Sequence, residues 1–425
     1  MRRWVRVLVI VVGALLGGAA RSAWAQDTQW TAADLFDDSQ LHTINLTIHP
    51  LDWEELRENF LLNTYYASTF EWRGHTLENI GIRSRGTGSR SNGKPGLRVD
   101  FNRFAESQEF LGLKSLILRN NIQDASGLNE RIAMKLFARL GLPAPREAHA
   151  RLYVNGEYAG LYTIVEAVDK TFLAAHFGQD DGYLYEYDYD VDDQPYRFEF
   201  RGSDPALYSP KPFKPVTHER DPEPGPLAAM IRAITETPKP GFAAVLSQHL
   251  DLERFVMQAA IESFVGETDG VLGRRGMNNF YLYRFSGTSL STVIPWDKSE
   301  AFKGRVDDSI WRDVDDVPSW LQNLLMTRLM LVPELRAVYL DTLLRCADAA
   351  SEPVATVTDE GEPGPAIGWL ESEVRGAYAQ IRDAAIEDPW TPFPDWEFEL
   401  GINALIDFAR ERSDYVRRGV ERSPR

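Results

Sequence analysis

Cysteine is almost missing. Cys346 stands alone in 425 residues, which excludes an intramolecular disulfide framework and any cysteine-rich zinc site. Histidine is scarce, and the seven present (His42, His49, His75, His149, His176, His218 and His249) show neither H-x-H nor H-E-x-x-H spacing, so the signature of a zinc hydrolase is absent. There is no G-x-S-x-G elbow. A G-K-[ST] phosphate loop is missing because Pro95 follows Lys94, and no glycines form a dinucleotide fingerprint after a strand. Basic charge is also short: 46 Lys+Arg against 63 Asp+Glu leave −17. That balance argues against sequence-blind binding to nucleic acid or anionic membranes, which needs a basic surface.

Long apolar runs are confined to the first residues. Arg2, Arg3 and Arg6 precede the stretch Val7 to Ala20, and Ala23-Trp24-Ala25 follows it. This is the layout of a secretory signal peptide over residues 1–25, interrupted by glycines and short for a membrane span. Its removal would take Arg2, Arg3, Arg6 and Arg21 and shift the net charge to −21. The expectation is an exported chain (periplasmic, cell-surface or extracellular) with no membrane span after cleavage. With 44% hydrophobic residues, what remains can bury a core in one large domain or two lobes.

Periodicity changes along the chain. Ile44, Leu46 and Ile48 alternate with polar residues, and strand signals recur at 68–72 and 78–83 around Arg73-Gly74. A Gly/Ser/basic loop over 85–94 leads into a strand at 97–101. Leu128, Ile132, Ala133, Leu136, Phe137 and Leu140 mark one helix face, closed by Gly141 and Pro143. Asn155-Gly156 then predicts a tight hairpin. An acidic, tyrosine-rich stretch follows at 178–225. Helical spacing dominates afterwards, at 225–235, 242–250, 251–265, 317–331, 333–350 and 365–386, with one hairpin over 280–295. Strands first and helices later predict an α+β fold in two lobes, divided as 26–166 and 167–425 after the signal peptide.

The chemistry concentrates in Glu267–Phe302. It presents Thr268-Asp269-Gly270, then Asn278-Asn279, a hairpin, and Ile294-Pro295-Trp296-Asp297. Phosphoryl transfer needs an Asp to orient the attacking hydroxyl, and an Asn and second Asp to hold Mg²⁺ against the phosphates. The order Asp, loop, Asn, two strands, Asp is the order of protein kinases. Asp and Asn are also ordinary turn formers.

This stretch, together with Phe280-Tyr281-Leu282-Tyr283, resembles the CotH kinase-like family. So do Gly81-Ile82-Arg83-Ser84-Arg85-Gly86, the helix Leu128 to Gly141 with Pro143 and Pro145, and Asn155-Gly156-Glu157-Tyr158-Ala159-Gly160-Leu161-Tyr162 leading to Val165-Glu166 and Val168-Asp169-Lys170. The resemblance implies a two-lobed atypical protein-kinase-like fold, with an antiparallel-sheet N-lobe and a mainly helical C-lobe. It implies ATP with Mg²⁺ or Mn²⁺, and transfer to Ser or Thr of secreted or surface proteins. By position, Asp269 would be the catalytic aspartate, Asp297 and Asn279 the metal ligands, and Lys94 or Arg98 the phosphate contacts. Two family features differ here: Pro95 replaces one lysine of a usual pair, and Lys298-Ser299-Glu300 follows Asp297 where an acid two positions on is common. Glu130 is expected to pair with the phosphate-binding base, or to be a solvated helix residue. Glu166 is expected in the nucleotide cleft, or to cap the hinge. The alternative function is a catalytically inactive kinase-fold surface, assembly or binding module.

Overall fold

A computed structural model describes residues 30–188, 196–273, 276–311, 314, 318, 322–358 and 361–423. The expected signal peptide and Asp190, Asp192 and Asp193 of the acidic stretch lie outside them.

The fold is mixed α+β. After a single turn, α1 (Ala32–Leu35), the chain forms β1 (His42–Ile48), α2 (Pro50–Glu58), β2 (Tyr66–Trp72), β3 (His75–Ser84), β4 (Leu97–Asp100) and β5 (Ser115–Arg119). Helix α3 (Asn129–Arg139) leads to β6 (Glu147–Val154) and β7 (Glu157–Glu166). The strands close a barrel in the order β1-β2-β3-β4-β5-β7-β6. An antiparallel sheet was expected; the difference is the parallel pairing of β1 with β6, His42 opposite Ala150, which closes the ring and leaves no bare edge. Both expected tight turns form. Arg73 and Gly74 have φ of 49° and 76°, Asn155 and Gly156 52° and 84°, the twist that two-residue hairpins require. Alternate residues fill the barrel, among them Phe70, Phe101, Leu116, Leu118 and Ile164.

The outward residues of two strands matter more for function. Ile117 of β5 and Val165 of β7 are paired neighbours, and they pack against a second sheet through Leu184, Tyr281, Tyr283, Ile294 and Trp296. Helix α4 (Lys170–Phe177) joins the two, capped by the Asp169 carboxylate, which accepts from the Thr171 and Phe172 amides. The second sheet comprises β8 (Tyr183–Tyr187), β9 (Phe213–Pro215), β10 (Phe280–Arg284) and β11 (Ser291–Pro295), ordered β11-β10-β8-β9.

Helices α5 (Pro224–Glu236), α6 (Phe242–Leu246), α7 (Leu252–Val265), α8 (Leu324–Leu329), α9 (Pro333–Ser351), α10 (Trp369–Ile386) and α11 (Asp395–Arg422) complete the chain, with a hairpin of β12 (Pro353–Val357) and β13 (Pro363–Gly368) before α10. The helix expected from Pro365 thus begins at Trp369, because Gly364, Pro365 and Gly368 favour an extended approach. The apolar face of α3 (Ile132, Leu136, Phe137) shares one core with α7, α9, α10 and α11. Helix α3 therefore links the barrel to the helices. Among the described residues no helix is long and apolar enough to cross a membrane.

Candidate functional site

Helix α7 ends at Gly266, whose φ of 65° turns the chain into the loop 267–271. That loop wraps around the side chain of Glu262, which is almost fully buried. One carboxylate oxygen accepts the Val271 amide at 2.8 Å; the other receives Lys298 Nζ at 2.8 Å and Gln258 Nε2 at 3.2 Å. A Cβ on Gly270 would lie 2.2 Å from Glu262 Oε2. The carboxylate is pinned and cannot swing away, so Gly270→Ala should cost about 1–3 kcal/mol, read as a lower urea midpoint at unchanged slope.

The Asp269 carboxylate is presented by this loop. Its amide donates to Glu267 Oε1 at 2.7 Å, while its Oδ2 accepts from Asn278 Nδ2 and Asn279 Nδ2, each at 3.0 Å. Burial pushes the Asp269 carboxyl up to about 6; the Asn278 bond opposes this and the nearby Asp297 adds to it. Asn279 begins the β10–β11 hairpin at its open end. Its carbonyl accepts from the Trp296 amide at 3.2 Å and from Lys298 Nζ at 3.0 Å, which brings Asn279 and Asp297 together. Both have left-handed backbones, with φ of 55° and 47°. Asparagine and aspartate are among the non-glycine residues that reach this conformation most readily.

Asp297 is held on both oxygens. Oδ1 accepts the Ser299 hydroxyl at 3.0 Å, and Oδ2 receives Arg119 Nη1 at 2.7 Å. Burial alone would raise this carboxyl, yet Arg119 and then Arg85 hold it below the usual range. Arg119 stands at the end of β5 and also meets Glu130 of α3, Nε to Oε2, at 2.5 Å. Its guanidinium lies 5.0 Å from the Trp296 ring. Glu130 is pushed up to about 7 by burial, against the pull of Arg119. Behind the pair, burial and Glu130 raise the buried Glu147 well above the carboxylate range. A small cleft open to solvent is lined by Arg85, Ser89, Arg119, Asn121, Glu130 and Ser299 among others. Strand, helix and hairpin thus deliver one base, one buried acid and the Asp297 carboxylate to one place.

Residues 82–350 match the family model described as CotH kinase protein. That span is more than half of the chain and contains every residue of the cluster. The chain belongs to the CotH kinase family.

It is 24% identical over 381 residues to the inner spore coat protein H of Bacillus subtilis (strain 168), covering 90% of this chain and 98% of that one. Two solved structures are more distant. The proinflammatory kinase CtkA of Helicobacter pylori has 9% identity and a TM-score of 0.32, with 80% of this chain and 95% of that chain covered. HipA, in the HipA–HipB–operator DNA complex of Shewanella oneidensis MR-1, has 12% identity and a TM-score of 0.37, with 89% and 86% covered. Scores this low carry no weight for the site.

Within this CotH-family chain, the expected residues separate into two groups. Asp269, Asn279, Asp297 and Glu130 come together. Lys94, Arg98 and Glu166 do not join them. Lys94 is buried and gives its ammonium to Asp388 Oδ2 at 2.6 Å and to the Leu161 carbonyl at 2.9 Å. It is a structural cation, because a fully desolvated ammonium needs its carboxylate. Arg98 is held by Asp100 at 2.8 Å and the Ser115 hydroxyl at 3.3 Å. Glu166 takes Arg146 on both oxygens, at 2.9 and 2.6 Å, and ties the end of β7 to the start of β6. Arg119, which the sequence reading passed over, stands where the phosphate-binding base was expected. Its signal was Ser115-Leu116-Ile117-Leu118-Arg119, a short apolar run ending in a base before Asn120-Asn121.

The donor set also bears on a metal. Among the described residues no three His, Cys, Asp or Glu side chains gather around one point, so there is no all-protein cage. Mg²⁺ and Mn²⁺ held against phosphates need only one or two protein oxygens. Asp297 offers a carboxylate. Asn279 offers Oδ1, since its Nδ2 is committed to Asp269. These residues fit such an ion.

Proposed function

We propose that this chain is an exported kinase that transfers phosphate from ATP to Ser or Thr hydroxyls of secreted or surface proteins, on a two-lobed atypical kinase-like fold. The carrying observation is the bridge from Glu130 of α3 through Arg119 of β5 to Asp297. Kinases need such an ion pair between a sheet base and a helix acid beside the metal-binding Asp.

Phosphoryl transfer asks for positioning and electrostatic stabilisation more than for covalent chemistry. Arg119 would lie against the phosphate oxygens and neutralise their charge, with Glu130 fixing its direction. Asp297 and Asn279 would hold Mg²⁺ or Mn²⁺, which would supply charge neutralisation for the phosphates. Asp269 would accept or orient the proton of the attacking hydroxyl. Asn278 and Asn279 fix which way its carboxylate points by occupying Oδ2. Burial raises the basicity of that carboxylate, which suits proton acceptance. Lys298, the departure after Asp297, keeps the two halves of the site in register by joining Glu262 to Asn279.

A specific observation favours the second reading, a kinase-fold module without catalysis: Arg119 occupies one oxygen of Asp297. Thermal unfolding separates the two. ATP with Mg²⁺ or Mn²⁺ at about a hundred times its dissociation constant should stabilise the chain by about 2.7 kcal/mol. No rise in melting temperature with ATP, GTP or another nucleotide and either metal would remove the proposal.

A further inference from the structure

Arg85 is the first residue after β3 and the stem of the Gly/Ser loop. Its amide donates to the Gly96 carbonyl at 2.8 Å, and a Cβ on Gly96 would lie 3.0 Å from the Arg85 carbonyl, so the stem is tightly closed. Its guanidinium lies 5.0 Å from the Trp296 ring, the distance at which Arg119 meets the same ring. One indole therefore serves two cations.

Those cations are unequally matched. Arg119 has Glu130 at 2.5 Å and Asp297 at 2.7 Å. Arg85, with only 16% of its side chain exposed, has Glu186 at 3.7 Å, beyond hydrogen-bond reach. Glu186 is itself shared with Lys214 at 3.8 Å. Arginine cannot shed its proton to escape burial. Burial and the neighbouring Arg119 both act against its charge, and an anion would relieve both.

We infer that Arg85 is a second phosphate-binding guanidinium, acting with Arg119 as a clamp on the polyphosphate of a nucleotide. The site is the cleft that both arginines line with Ser89 and Ser299. Two guanidiniums over one ring call for a ligand with more than one negative charge in a row, which a di- or triphosphate supplies and a single carboxylate does not. Arginine's planar fork suits two phosphate oxygens at once. The inference rests on the proposed nucleotide-binding reading and names a residue that reading does not use.

The test is calorimetric titration of the full chain with inorganic tripolyphosphate without metal, and with ATP and Mg²⁺. Arg85→Met should weaken tripolyphosphate about ten- to a hundredfold, leave adenosine binding unchanged, and reduce the salt dependence of the tripolyphosphate constant. Arg85→Lys should lose less, about three- to tenfold, because the charge remains without the fork. Should Arg85→Met fail to fold, Arg85→Lys decides alone. Folded variants that bind tripolyphosphate as tightly as the parent would overturn the role of Arg85 and leave the nucleotide site standing. A parent chain that binds ATP with metal but not tripolyphosphate would also overturn it. A parent that binds neither would overturn both.

Discussion

Asp269→Asn should lower phosphate transfer about a thousandfold while leaving ATP affinity within about twofold. The asparagine can still present an oxygen to Asn278 Nδ2 and Asn279 Nδ2, the two donors that hold Oδ2 at 3.0 Å, so the loop 267–271 keeps its shape. What disappears is the carboxylate's capacity to take a proton, an interaction made in the transition state and not in the ground state. Asp297→Asn should behave differently. It weakens the hold on the metal and removes the carboxylate from Arg119, so affinity and rate should fall together. Steady-state kinetics with ATP as the varied substrate, beside calorimetric ATP affinities, resolve the two patterns. If Asp269→Asn retained full transfer, the proton-accepting role would pass elsewhere. If Asp297→Asn bound ATP and metal as tightly as the parent, the metal site would be misplaced.

The second large effect concerns stability and turns on Asp388, which follows the family-matched span in sequence but meets Lys94 and Leu161 inside it. Asp388→Ala should destabilise the chain by about 3–5 kcal/mol, read from urea unfolding. The mutation strands the Lys94 ammonium, which is 3% exposed, and also orphans the Leu161 and Trp390 amides that donate to the same carboxylate. A Cβ on Gly160 would meet Asp388 at 2.5 Å, so nothing larger than glycine fits beside it. The double variant Lys94→Met with Asp388→Asn removes both charges and keeps an acceptor for one of the two amides, since Leu161 and Trp390 donate to different oxygens. It should recover part of the loss. Lys94→Met by itself should bind ATP as the parent does, per folded molecule; a large loss of affinity would return Lys94 to the phosphate site.

Which features were legible follows from how local their causes are. Arg73-Gly74 and Asn155-Gly156 are turns because of their own backbone preferences, and α3 is a helix because its apolar residues recur on one face; neither depends on distant chain. Asp269, Asn279 and Asp297 were legible as an order along the chain, because a hairpin between two of them folds that order into proximity. The base was not. Lys94, Arg98 and Arg119 are alike as isolated cations, and what separates them is the partner each finds. Lys94 is claimed by Asp388, 294 positions away, which no local pattern announces. Strand β5 is a continuous apolar run without alternation, so periodicity alone could not place Arg119 on the outward face. The long helix α11 is a different case. Phe398, Ile402, Leu405, Ala409, Arg412 and Val416 are spaced for one buried face, and that signal was present but unused. The stretch Lys298-Ser299-Glu300 read as lacking the acid two positions after Asp297, and the meaning of Lys298 emerged only with Glu262 buried beside it.

The most direct measurement is transfer of labelled phosphate from γ-labelled ATP, with Mg²⁺ and with Mn²⁺, to the chain itself or to an acceptor protein. Label should appear on Ser or Thr, and should fall by about a thousandfold in Asp269→Asn. Nucleotide bound with metal but no label transferred under either ion, or label transferred equally by the Asp269 and Asp297 variants, would contradict a phosphotransferase centred on these residues.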